Sequence, residues 1–392
     1  MVIGPWRIVL VAVACVLVSD GIAGQKPPPL QNAAASRRPR LSSAADTNDW
    51  TAYFDYGVAQ LRSDPRGAER AFYWAARLEP GRAEPLYGRW VAYWMRFPGW
   101  FEEYVRERPR VLESPNVLQV DSLYQRALLR NPLMPRTLHV LLYDQLPGEW
   151  RRDPLTIAML AYGAGKFDVA AAAFGKLVRE DPAKHYRLRY WQALCFVAAQ
   201  RYDSAAAEVA ALVEELRQRD EKKLAHWYES KELLDYGLGL LHLALGNRAA
   251  ARVVLQQALV ENLAFYPAHA ALADVALNEG DQPAALREYA QAVELGGDDA
   301  GVRHRYAQAL ADAGRPGEAE LQVRQVIELE PLFAAPYFTL GKVLEARGLG
   351  QQALAAYRDY VQRAPSLAPL VTRARARIAA LSGMEPDSGR QP

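Results

Sequence analysis

Thiols and imidazoles, the groups that most metal sites and many catalytic sites need, are scarce in this chain. Its 392 residues hold two cysteines, Cys15 and Cys195, and six histidines. Cys15 lies in an apolar leader, so a chain cleaved after that leader has no second thiol for an internal disulfide. Cys195 sits in an apolar helical stretch without a paired Cys, as a small inert hydrophobe does. His139, His185, His226, His242, His269 and His304 are scattered over different helices and do not converge on a ligand set. No His-Glu-x-x-His, Gly-x-Ser-x-Gly, Gly-x-x-x-x-Gly-Lys-Ser/Thr or Cys-x-x-Cys occurs. The expectation is therefore a protein with no catalytic residue, no metal and no cofactor.

Charge of one sign is also lacking. Lys+Arg is 47 and Asp+Glu is 45, a net charge of +2, which calls for neither nucleic acid nor an acidic surface. Alternating β-branched residues are scarce and alanine is abundant, which favours helices. The apolar run Ile8 to Val18 is too short for a comfortable membrane span. With Arg7 before it and small or polar residues from Ser19 to Gly24, residues 1–24 read as a secretory signal. Cleavage near Ala23 or Gly24 would give a secreted or periplasmic protein of a bacterial envelope. A retained anchor, or lipidation at Cys15 within Ala12-Val13-Ala14-Cys15, are the alternatives and the only routes to a membrane. Residues 25–47 contain Pro27-Pro28-Pro29 and Arg37-Arg38-Pro39-Arg40 and are expected to form a disordered linker.

What is present is a period. Gly246, Gly280, Gly314 and Gly348 stand 34 residues apart, as do Ala251, Ala285, Ala319 and Ala353. A period of this size marks a solenoid of stacked hairpins. In the last copy Tyr337, Leu340, Gly341 and Leu344 share one face of a first helix. Ala353, Tyr357 and Tyr360 share one face of a second, and Pro365 stops it. Preceding copies read Tyr306-Ala307, Leu310, Gly314, Ala319, Val326, Pro331; Leu272-Ala273, Gly280, Ala285, Tyr289, Ala292; and Leu238-Gly239, Gly246, Ala251, Leu255, Ala258. This pattern resembles the tetratricopeptide repeat. The resemblance implies an all-α, right-handed α-solenoid of helix-turn-helix repeats, with four regular repeats over 226–365. Residues 366–381, with apolar Leu370, Ile378 and Leu381 on a polar-backed helix, are expected to cap the stack, and 382–392 to be a disordered tail.

The N-terminal half, 48–225, repeats less cleanly. Ala68, Phe72, Ala75 and Pro80 match second-helix positions, as do Ala170, Phe174 and Pro182, and Ala205 and Val209. Between Phe97 and Asn116 lies an insertion whose prolines Pro98, Pro109 and Pro115 forbid one continuous helix. Trp90, Tyr93, Trp94 and Phe97 follow core spacing, whereas Trp100, Phe101 and Tyr104 lie beyond the Pro98-Gly99 break and are candidates for contacting a ligand. The mixed-charge run from Glu214 to Lys223 is expected to be a solvated helix end at a seam between the two halves.

In the family the inner, concave face is lined by first helices. By that resemblance the partner-binding candidates are Tyr236, Asp274, His304, Gln308, Phe338 and Lys342. The Lys and Asn grip for a C-terminal carboxylate is missing: the paired positions hold Tyr236 and Leu240, Ala270 and Asp274, His304 and Gln308, Phe338 and Lys342. The leading expectation is an exported scaffold that binds a protein or peptide. Its alternatives are a glycan-binding, envelope polysaccharide-associated protein using Trp100, Phe101 and Tyr104, or an enzyme with an unrecognised site.

Overall fold

The structure, a computed structural model, describes residues 26–30, 37–105, 109–146, 148, 152–181, 187–221 and 230–383. The leader and the tail after residue 383 fall outside them. Among the described residues no strand occurs, and the chain is an α-solenoid of helix pairs. The first pair is α1 (Trp50–Gln60) and α2 (Pro65–Leu78). The second is α3 (Glu84–Arg96) and α6 (Pro115–Arg130), separated by the short α4 (Pro98–Val105) and α5 (Pro109–Leu112). After α7 (His139–Tyr143) come α8 (Pro154–Gly163) with α9 (Phe167–Glu180), and α10 (Leu188–Ala198) with α11 (Tyr202–Glu221). The regular array follows: α12 (Lys231–Ala244) with α13 (Arg248–Glu261), α14 (Tyr266–Asn278) with α15 (Gln282–Gly296), α16 (Ala300–Asp312) with α17 (Pro316–Leu329), and α18 (Ala335–Ala346) with α19 (Gly350–Arg363). The last helix, α20 (Leu370–Ser382), turns Val371, Ala374 and Leu381 inward over the open end.

The periodic glycine is what turns each hairpin. Gly246, Gly280, Gly314 and Gly348 all have φ between 71° and 80°. There the amide one residue on returns to a carbonyl five residues back, as in Asn247 N to His242 O at 2.8 Å and Leu349 N to Leu344 O at 2.9 Å. This is the left-handed termination that glycine adopts without steric cost. The same turn exists where the sequence hides it. Gln200 takes φ 59°, and Arg201 N reaches Phe196 O at 2.8 Å. Gln200 thus marks another repeat, and the extended α11 explains why the next turn residue, Gly246, comes late.

Close packing of the two helices follows from small residues on the first. Ala158, Ala193, Ala273, Ala307 and Gly341 occupy one equivalent position and are all buried. A Cβ on Gly341 would sit 2.6 Å from the Tyr357 ring, and one on Gly239 2.7 Å from Leu255. The partner alanines Ala170, Ala205, Ala251, Ala285, Ala319 and Ala353 have no exposed surface.

Contacts of two segments add to what their composition suggests. The mixed-charge run is not simply a solvated helix end. Arg217 on α11 pairs at 2.6 Å with Asp235, which is buried, and at 3.2 Å with Glu261, tying α11 to α12 and α13. The described parts of residues 25–47 also touch the helices. The Arg38 guanidinium lies 4.8 Å over Tyr53 and 5.6 Å from Trp74, and Leu41 packs with Trp50 and Tyr53. Composition alone misses this, because the partners are aromatic rings on α1 and α2.

The two ends of the solenoid meet. Asn48 Nδ2 donates to Gln362 O (2.9 Å) and Ala364 O (3.3 Å), and Ser366 N donates to Asp46 Oδ2 (2.6 Å). Arg77 pairs with Glu330, and Leu332 enters the cluster of Tyr53 and Leu78. One turn of the superhelix therefore closes on its own inter-repeat loops.

Gln200→Gly should raise stability by about 1 kcal/mol, because it relieves a side chain held in the left-handed region, while Gly280→Ala should cost about as much despite open space around it. Urea denaturation of the two variants checks this; a destabilised Gln200→Gly protein would contradict the assignment of the turn.

Candidate functional site

Counting back ten residues from each turn residue picks out one position per first helix: Tyr190, Tyr236, Ala270, His304 and Phe338. Counting back six picks out Leu194, Leu240, Asp274, Gln308 and Lys342. These two rows run along successive first helices.

Part of that surface is already filled by the chain itself. The connection after α6, Arg130 to Arg136, runs along the first helices of successive repeats. Arg136 N donates to Tyr162 Oη on α8 at 3.1 Å. Tyr190 Oη on α10 donates to Pro132 O at 2.5 Å. Tyr236 Oη on α12 donates to Arg130 O at 3.3 Å. Arg130 then stands 4.0 Å from Asp299, which also accepts from Tyr266 Oη on α14 at 3.2 Å. Read from Arg136 back to Arg130, the segment crosses the repeats in order, antiparallel to the array.

The fit is apolar as well as polar. Leu133 packs with Ala193, Leu238 and Leu241, and Leu129 joins the cluster of Tyr236, Leu255 and Phe265. Gly237 lies against the segment: an added Cβ there would meet Pro132 at 3.4 Å and Leu133 at 3.5 Å, ordinary contact distances. Pro132 and Pro135 have no N–H to satisfy. Leu133 N and Met134 N are met by Asn131 Oδ1 and Asn131 O. Arg136 is buried among rings, its guanidinium 4.9 Å over Tyr190 and 5.6 Å from both Tyr124 and Trp191. A buried non-helical segment is tolerated because its backbone groups find partners.

This geometry divides the sequence-predicted residues. Tyr236 faces the segment, is buried, and has its hydroxyl engaged by Arg130 O. Burial pushes its pKa up to about 12, so it stays a neutral donor. His304 is buried, its Nε2 3.0 Å from Thr339 Oγ1 and its ring edge-on to Phe333. Phe338 is buried between Tyr357 and Tyr360 at ring distances of 5.5 and 5.3 Å. Trp100 and Phe101 are buried too; Phe101 and Tyr104 pack on Trp94, and Tyr104 Oη donates to Asp121 at 3.3 Å. Tyr236, His304, Phe338, Trp100 and Phe101 are thus packed inside the protein. Each ring finds apolar neighbours on its own or the adjoining hairpin, which sequence spacing past a proline break does not reveal.

Asp274, Gln308 and Lys342 remain. They are 34 residues apart and form one accessible row, Gln308 and Lys342 exposed and Asp274 half-buried. Asp274 accepts from Tyr289 Oη and pairs with Arg305, and Lys342 Nζ lies 3.3 Å from Asp312. The row holds an anion held in place from behind, a neutral amide and a cation. Reasoning from sequence missed Arg130 to Arg136 altogether. Its visible signals were two prolines in a connection too long for the period between α6 and α8.

Among the described residues no group of three or more His, Cys, Asp and Glu is placed to hold a metal ion, and no helix is long and apolar enough to cross a membrane.

The family model of the tetratricopeptide repeat matches residues 155–220, 236–300 and 305–368. The chain belongs to the tetratricopeptide repeat family. Solved structures of similar fold include YrrB, a TPR protein with an unusual peptide-binding site: 21% identity over 53% of this chain and 99% of that one, TM-score 0.41. MamA is 14% identical over 53% and 98%, with TM-score 0.39. The APC/C hetero-tetramer Cut9-Hcn1 is 13% identical over 85% and 76%, with TM-score 0.44. No curated protein matches the sequence. The tetratricopeptide array includes α8 to α11, so the irregular half contributes repeats to it.

Two buried histidines of this tetratricopeptide protein give it an acid limit. Burial, with Arg136 adding to it, lowers the His139 pKa to about 3; burial lowers that of His304 to about 4. In the unfolded chain both protonate near pH 6.5. Their contribution is therefore complete above that pH and is lost as pH falls toward the folded values. His269 works the other way: its bond to Glu288 raises its pKa, so its contribution is present at low pH and is lost as pH rises through the raised value. From pH 7 to pH 5 each lowered histidine should cost about 2 kcal/mol. Urea titrations at the two pH values check this, with His304→Gln losing about 2 kcal/mol less than the unmodified chain; equal pH sensitivity would contradict it.

Proposed function

We propose that this protein is an exported, non-enzymatic tetratricopeptide scaffold that holds an extended segment of a partner protein along Asp274, Gln308 and Lys342. The observation that carries the reading is the chain's own use of the neighbouring surface. Arg130 to Arg136, the end of α6 and the proline-containing turn that follows it, meets one tyrosine hydroxyl per repeat. Where that segment leaves the array, the accessible row begins, on the same helix faces and at the same period. An extended backbone laid there meets an acceptor at Asp274, a donor and acceptor at Gln308, and a cation at Lys342. Export rests on the leader of residues 1–24 and its small residues before Gly24.

The polysaccharide-associated alternative needs an exposed ring face for a sugar to stack on. Trp100 and Phe101 offer none, and no other observation favours it.

A photo-crosslinking amino acid at Gln308 should capture a partner protein when the chain is expressed in its native cell. The same group at Val260, on the outward second helix α13, should capture none. Equal capture from the two positions would contradict the inner-face assignment. N-terminal sequencing of the secreted protein should begin just after Ala23 or Gly24; an intact Met1 in the cytoplasm would contradict export.

A further inference from the structure

Between α3 and α6 of the second repeat the structure holds a segment without regular secondary structure, Lys26 to Leu30. Pro27 is buried, and its carbonyl accepts from Asn116 Nδ2 at 2.6 Å. The carbonyl of Pro28 accepts from Tyr93 Oη, also at 2.6 Å. Leu30 packs against the aromatic core that contains Tyr87, Trp90, Tyr93 and Trp94. Phe97 stands edge-on to the Tyr93 ring at 5.2 Å.

The chemistry of these contacts defines a ligand class. Pro27, Pro28 and Pro29 have no N–H to donate. A run of this kind favours the polyproline II helix, which has three residues per turn and no internal hydrogen bonds. Its carbonyls therefore need donors from outside, and successive carbonyls point to different sides. Asn116 on α6 and Tyr93 on α3 supply one donor from each wall. An aromatic surface then accepts the apolar residue that ends the run. This is the mode in which aromatic grooves take preformed, low-entropy proline-rich segments.

The geometry points to the α3–α6 groove as a binding site for proline-rich segments in the polyproline II conformation, with Lys26 to Leu30 as its resident ligand. A partner carrying the same Pro-Pro-Pro-Leu chemistry binds there when the resident leaves. The site lies on a different repeat from the Asp274, Gln308 and Lys342 row, and stands whether or not that row binds a partner. A tether keeps the resident at millimolar effective concentration, so a free peptide competes poorly with it until it is released.

The test uses full-length protein and a synthetic, fluorescently labelled copy of residues 26–31, read by anisotropy. Pro27→Asp with Leu30→Asp places two charges in the apolar groove and expels the resident. That variant should bind the peptide saturably, at least tenfold more tightly than the unmodified chain. Adding Tyr93→Phe and Asn116→Ala removes both donors and should weaken binding about 30-fold. Should the Tyr93 change disturb folding, Asn116→Asp at its half-buried position sets a carboxylate against the Pro27 carbonyl and should by itself weaken binding about tenfold. A peptide with alanine for all three prolines should not bind. The proposal is overturned if the released variant binds no peptide, if it binds the alanine peptide equally, or if loss of both donors changes nothing.

Discussion

Three tyrosine hydroxyls, one from each of three successive repeats, hold the backbone of Arg130 to Arg136 against the inner face of the solenoid. That contact ties three repeats to a segment from outside them. Tyr190 and Tyr236 occupy the same position in their repeats, and each donates to a carbonyl of the segment. Net hydrogen-bond contributions of about 1 kcal/mol apiece would not fix a free strand by themselves. Leu129 and Leu133 add apolar surface packed against the first helices, and Gly237 lies beside Pro132 and Leu133. The segment thereby joins the second repeat to the third, fourth and fifth.

A solenoid is ordinarily quasi-one-dimensional, with stability summed from each repeat and its neighbours. This chain has two departures from that scheme. One is the inner segment. The other is the meeting of Asp46, Asn48 and Arg77 with Ser366, Ala364 and Glu330. Both make contacts of long sequence separation, so loss of one repeat propagates to others that do not adjoin it. The N-terminal half supplies the inserted segments and the array supplies the surfaces that receive them. The accessible row of Asp274, Gln308 and Lys342 is what the chain leaves uncovered.

Much of this was legible in the sequence where the controlling physics is local. Positive φ at the hairpin turn requires glycine in most repeats, so the 34-residue spacing announces the fold. Close approach of helices requires small residues, so Gly341 and Ala353 mark the packing face. Gln200 shows the limit of that logic, because its turn has the same geometry without the residue that signals it. The inner row was also legible as a row, through equal spacing from the turns. Which of its members stay accessible was not. Tyr236 is covered by residues more than a hundred positions earlier, and Phe338 by the second helix of its own hairpin. The contacts of residues 26–30 and 38 were not legible for a related reason: proline and arginine bury no core alone, yet they pack onto rings contributed by helices.

The central claim is that the inner face is occupied by the chain's own backbone. Hydrogen exchange of the amides of Leu133, Met134 and Arg136 in the full-length protein tests it most directly. The account predicts protection comparable to that of α12 and α14, and faster exchange of these amides when Tyr190 and Tyr236 are both changed to Phe. Exchange at the rate of an exposed loop in the unmodified protein would contradict it.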